Sequence, residues 1–193
     1  MVLFIALIVL VAMTLAGIAL VRSVDTANVI AGNLAFKQAT LHAADLGVEA
    51  AVTVLPNIIA TNLDTDLTPA ANSADPNYWY YASRRETDVY GVPTQKQYGA
   101  AGAAAAIDWT QVPVAQTIAG NSVRIVIDRL CQGPAPVTDL QGKCFADAPT
   151  AGSGSQKTGA IVFSATPAVY YRVTVRVSGP RNTASTVQAI LSR

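Results

Sequence analysis

The first 21 residues, Met1 to Val21, carry no charged side chain. They read MVLFIALIVLVAMTLAGIALV, in which only Thr14 and Gly17 are not apolar. As a helix rising about 1.5 Å per residue, the run spans roughly 30 Å, the thickness of a bilayer core. Thr14 returns its hydroxyl to the helix backbone and so costs little in lipid. An ordinary cytosolic domain does not begin this way. Three uses remain. A removable secretory signal needs a basic n-region and a shorter apolar core. The run lacks the first and exceeds the second, although Ala16, Gly17 and Ala19 imitate a cleavage site. The second use is a plain membrane anchor. The third is a membrane helix that later packs against copies or relatives of itself, and the residues that follow favour it.

After Arg22 no proline intervenes until Pro56. Apolar residues fall at Ile30, Leu34, Leu41, Val48, Val52 and Leu55, which is helical spacing. Arg22, Asp25, Lys37, Asp45 and Glu49 supply the polar positions. One helix is therefore expected from the apolar start to about Leu55, with Pro56 ending it. Its first half, residues 1–21, is apolar all round and should project. Its second half, residues 22–55, is amphipathic and offers one face to a globular core. Small residues recur along the helix and permit close approach of backbones, although the helix propensity of Ala accounts for many of them. Gly17, Gly32 and Gly47 each cost about 1 kcal/mol against Ala. They are expected where the helix bends or loosens.

Residues 56–121 read as an irregular connecting region, with Pro69, Pro76, Pro93 and Pro113 and an Ala/Gly tract over 99–106. Tyr78, Trp79, Tyr80 and Tyr81 form an aromatic run within it. They are a candidate contact surface, for a sugar for instance, but the preferred reading is that they pin the loop to the domain.

Strand patterns dominate 122–193. Ser122–Leu130 alternates, with Val123, Ile125 and Ile127 against Arg124 and Asp128. Gly159–Ser164 is a short strand candidate. Val169–Ser178 sets Tyr171, Val173, Val175 and Val177 against Arg172, Thr174 and Arg176. A turn at 179–182 leads into a last strand over Thr183–Leu191. The expectation is an antiparallel meander with one buried and one polar face, its buried face covered by the long helix. The fold class is α+β.

Cys131 and Cys144 are the only cysteines and His42 the only histidine. A metal site wants more ligands at tighter spacing, and no C-x-x-C redox pair exists. A disulfide is the best reading. It stabilises a loop of this size by about 3 kcal/mol and implies an oxidising compartment, which places the globular part outside the cytoplasm. The net charge of +1 gives no basic surface for nucleic acid. Gly152–Thr158, GSGSQKT, lacks the Gly before Lys that a phosphate loop needs; Gln156 stands there. Asp64, Asp66, Asp75, Glu86 and Asp88 offer carboxylates for sugar hydrolysis or calcium. No calcium-loop pattern is present, so solvated loop charges are the preferred reading. No cofactor is implied, and a membrane-anchored hydrolase ranks behind a structural subunit.

The pattern resembles a type IV pilin: an apolar helix at the start, an amphipathic half on an antiparallel sheet, and a disulfide towards the C-terminus. More narrowly, residues 2–51, with their IALIVLV-x-x-TLAG-x-AL-x-RS run, resemble the N-terminus of PilX-type pilus assembly proteins. The ending YYRVTVRVSGPRNTASTVQAILSR is similar to that family's C-terminus. The resemblance implies a non-catalytic minor pilin, made with a basic leader that is removed so that Met1 becomes a methylated first residue. It implies helix packing through Leu3, Ile5, Leu7, Leu10, Leu15, Gly17, Leu34, Leu41 and Val48. The implied partners are other minor pilins, the major pilin and a large tip adhesin. The implied location is the bacterial inner membrane, with a periplasmic head, and then the cell-surface pilus. Major pilins usually carry Glu at the fifth mature position to pair with a neighbour's N-terminal amine. Ile5 stands here. An unpaired amine in an apolar filament core is costly, and a subunit at the tip avoids that demand. The resemblance therefore points to a priming or tip subunit; the alternative is a major or adhesive pilin.

Overall fold

The computed structural model describes residues 1–61, 64–68, 77–134, 143–147, 168–180 and 183–193. The chain divides into two compact units, Met1–Ala39 and Thr40–Arg193. One helix, α1 (Val2–Thr61), opens the chain. Eight strands follow: β1 (Trp79–Tyr81), β2 (Arg85–Thr87), β3 (Pro93–Gln97), β4 (Gln116–Ile118), β5 (Asn121–Arg129), β6 (Ala146–Asp147), β7 (Ala168–Ser178) and β8 (Ala184–Ser192). The fold is α+β: a long N-terminal helix whose later turns pack on a sheet.

Pro56 does not end the helix. It lies inside α1, on the exposed side, and the helix continues to Thr61. Its missing N–H falls over exposed Val52, while Leu55 and Ile58 on the opposite side are buried. Core burial of two large side chains, about 1.5–3 kcal/mol each, offsets much of the lost helical bond.

Alternation places β5 and β7 correctly, and the expected turn at 179–182 places β8. β5 pairs antiparallel with β7 from Ser122↔Ser178 to Arg129↔Tyr171, and β7 pairs with β8 from Tyr170↔Ser192 to Ser178↔Ala184. The sheet is mixed rather than a pure meander. β1 runs parallel to β5, with Trp79↔Val126 and Tyr81↔Asp128, while β4 pairs antiparallel with the other end of β5. β6 pairs with the start of β7, and β2 and β3 form a separate hairpin. Residues 56–121 are thus not one irregular loop: they hold the end of α1 and four short strands. The candidate strand 159–164, the 152–158 loop, Asp75 and turn residues 181 and 182 lie outside the described residues.

Two cores flank the sheet. On one face Ala43, Ala44, Ala51, Leu55 and Ile58 of α1 meet Val123, Ile125 and Ile127 of β5, Tyr171, Val173, Val175 and Val177 of β7, and Tyr80 of β1. The opposite face, expected to be polar and open, is covered as well. Trp79, Tyr81, Ile107, Val112 and Val126 cluster there with Trp109 packed against them. Arg172 and Thr174 of β7 are consequently buried. The segment joining β1 to β4 returns across that face and lays Ile107, Trp109 and Val112 on Trp79 and Tyr81 of β1.

Candidate functional site

The first candidate is the apolar unit. Leu3, Ile5, Leu7, Leu10 and Leu15 are each more than half exposed. The helix is long and apolar enough to cross a membrane. Its most apolar 18-residue window has a mean hydropathy of 2.9 and is 0% buried. Thr14 donates its hydroxyl to the Val11 carbonyl at 2.8 Å, so even this polar side chain is satisfied within the helix. Nothing lies within 4 Å of where a Cβ would stand on Gly17 or Gly32.

Within the second unit, the helix turns its smallest residues to the sheet. Thr40, Ala43, Ala44, Gly47 and Ala51 are buried, while Leu41 and Val52 are exposed and Val48 is half-buried. Leu34, in the first unit, is exposed. Of the large apolar residues read from the spacing, Leu55 lies in the core and Val48 packs against it, whereas Ile30, Leu34, Leu41 and Val52 are exposed. Gly47 sets the approach. A Cβ there would lie 2.6 Å from Val175 Cγ1 and 2.7 Å from Val123 Cγ1. Gly47 marks close packing, not a bend. His42 is exposed on the helix.

The residues after the helix are held by charge. Asp64 accepts from Arg129 Nη1 at 3.2 Å, and the Arg129 side chain is completely buried. Asp66 accepts from Arg85 Nη2 and from the Ala82 amide. Leu67 and Tyr80 exchange backbone hydrogen bonds. Beyond them, Arg172 of β7 grips Asp128 of β5 at both oxygens, at 2.9 and 2.7 Å, and also donates to the Arg85 carbonyl. Burial pushes the Asp128 carboxyl up; Arg172 and the Arg85 amide pull it down. The Arg85 guanidinium lies 3.9 Å over the Tyr81 ring. Glu86 pairs with Lys96 at 3.1 Å, and Asp88 accepts from the Tyr90 and Val92 amides. Asp64, Asp66, Glu86 and Asp88, expected to be simply solvated, are therefore committed to ion pairs and a turn. Among the described residues no three His, Cys, Asp or Glu side chains converge as a metal site.

Tyr78, Trp79, Tyr80 and Tyr81 are buried, at 3%, 6%, 0% and 5% exposure. They are core, not a contact surface. Burial pushes the Tyr81 phenol up to about 12 and raises those of Tyr80 and Tyr171 as well. Cys131 and Cys144 form a disulfide. Beside it, exposed Phe145 and Tyr98 share the guanidinium of Arg84, which lies 4.1 Å from the Tyr98 ring centroid. No family model matches the chain, and no curated protein or solved structure matches it.

Proposed function

We propose that the chain is a non-catalytic pilin-like subunit. Its apolar helix waits in the bacterial inner membrane and then packs among other such helices in a type IV pilus, with its disulfide-bonded head on the outside. One observation carries the reading: a single helix combines a wholly uncovered apolar stretch with turns that form the core of an α+β head. A plain anchor requires only the first property. A helix that must exchange lipid for protein neighbours requires both, because the residues that pack and the residues that carry the head then belong to one helix. The resemblance of residues 2–51 to PilX-type proteins supports a minor subunit, and Ile5 in place of Glu supports a place at the tip with other minor pilins, the major pilin or a tip adhesin as neighbours. Burial of Tyr78–Tyr81 removes the surface that favoured an adhesive subunit.

Quantitative mass spectrometry of sheared filaments tests this. The chain should be present but scarce beside a different main component, and deleting its gene should reduce surface pili. A filament built mainly of this chain would instead establish the major pilin. Absence of the chain from filaments, with piliation unchanged on deletion, would overturn both readings.

A further inference from the structure

A groove opens on the face of the head opposite α1, with a volume of about 640 Å³. That lies in the usual range for small-ligand pockets. Its floor is built by strand register. Thr174 of β7 stands opposite Gln188 of β8, and Arg176 opposite Thr186. Period-2 alternation sends all four side chains to one face, where Arg176, Thr186 and Gln188 line the groove and Thr174, fully buried, accepts from Gln188. One wall is the β2–β3 turn. Asp88 accepts from the Tyr90 and Val92 amides at 2.9 Å each, Gly91 takes φ +80°, and Gln188 Nε2 donates to the Gly91 carbonyl at 2.8 Å. The turn is thereby fixed to β8 across the groove's end, yet it leaves Tyr90 87% exposed. The other wall carries Trp109, with the Arg176 guanidinium 5.6 Å from its ring centroid.

The hydrogen-bonded turn beside a half-buried tryptophan lowers the ordering cost that a ligand in the groove would have to meet. The chemistry narrows the class. Two aromatic rings offer faces of negative potential, suited to the weakly positive C–H face of a sugar ring. Asp88 only accepts, Arg176 only donates and the Thr186 hydroxyl does both, while Gln188, whose amide nitrogen donates to Gly91 and Thr174, offers its carbonyl oxygen as an acceptor. Hydroxyl groups, which are donors and acceptors at once, match such a mixed set. A lipid tail does not, because the lining is too polar. A polyanion does not, because the single guanidinium shares the groove with a carboxylate. An added β-strand does not, because the floor is a sheet face and offers side chains instead of backbone groups.

We propose that this groove is a carbohydrate-binding site on the head, taking a short neutral oligosaccharide. The proposal stands on the head's geometry and not on the filament reading. Trp79 is buried in the core, so Trp109 is the tryptophan positioned to report binding.

The full chain, purified in a phosphocholine detergent that carries no sugar headgroup, is titrated with lactose, maltotriose, cellotriose and tri-N-acetylchitotriose. Binding is read by tryptophan fluorescence and by saturation-transfer NMR. At least one sugar should give a saturable fluorescence change that disappears in Trp109→Phe, while NMR still shows binding. Arg176→Ala and Thr186→Val should each weaken binding, about tenfold for loss of a charged donor. Phe145→Ala, beside the disulfide, should leave it unchanged. Circular dichroism confirms that each variant is folded. Silence from all four sugars at millimolar concentration would overturn the proposal. So would binding that both groove variants leave intact, or binding of a tri-glutamate peptide with no sugar bound.

Discussion

Gly47 and Arg172 show two different ways in which one residue holds this head together. Gly47 is where α1 comes closest to the sheet, and any Cβ there meets Val123 and Val175. Gly47→Ala gains about 1 kcal/mol of helix propensity, but overpacking of a filled core costs about 1–3 kcal/mol. The expected result is a lower midpoint in denaturant unfolding, partly restored by adding Val175→Ala in a double-mutant cycle. Gly17→Ala and Gly32→Ala, with open space around them, should not lower the midpoint. Arg172 holds the opposite face. Arg172→Ala leaves Asp128 buried without its bidentate partner, and breaking a buried pair in this way costs about 3–5 kcal/mol. Equilibrium unfolding should show a loss of that order; a change near zero would mean that Asp128 is satisfied by other groups.

At the scale of elements, strand β1 makes the clearest prediction. Burial raises the Tyr81 phenol to about 12 and raises Tyr80 and Tyr171 in the same direction. A folded-state value above the unfolded one means that the unfolded chain loses its protons first. Stability from these phenols is fully present below about pH 10. It is lost as pH rises from there through the folded values. Tyrosinate absorbance should therefore appear cooperatively with unfolding in that window, and Tyr81→Phe should make the fall in stability shallower. The elements also differ in how readable they are. β5 and β7 lie within one or two residues of where alternation puts them, because each is long and keeps Val or Ile on one face, and β8 lies within one residue of where the turn at 179–182 puts it. β1 was legible only as an aromatic run: three residues are too few for a period, and its partner β5 lies far along the chain. Proline at the start of β3 and the Ala/Gly tract after it disguise the hairpin. Leu34 and Leu41 misdirect the reading of α1, since periodicity weights large side chains whereas close approach needs small ones. The groove was hidden for a similar reason. Tyr90, Trp109, Arg176 and Gln188 become neighbours only through the hairpin's return across the sheet.

At the scale of the whole chain, every buried residue lies at or after Thr40. Removing Met1–Val21 should therefore leave the head's thermal midpoint unchanged while abolishing its need for detergent. Circular dichroism and light scattering check both halves of that statement. A lowered midpoint would mean that the apolar run supports the head.

The closeness of Gly47 to both Val123 and Val175 has a consequence for biosynthesis. Neither strand has been made when the helix emerges, and β7 is among the last elements to follow. The sheet-facing side of α1 thus stays without its cover until nearly the whole chain is synthesised, and contacts of such long sequence separation form slowly. The apolar start is complete from the outset and needs no distant partner to be stable in lipid. On the proposed pilin reading, insertion precedes folding: a membrane would hold one end of the polypeptide while the other end is still arriving to build the domain.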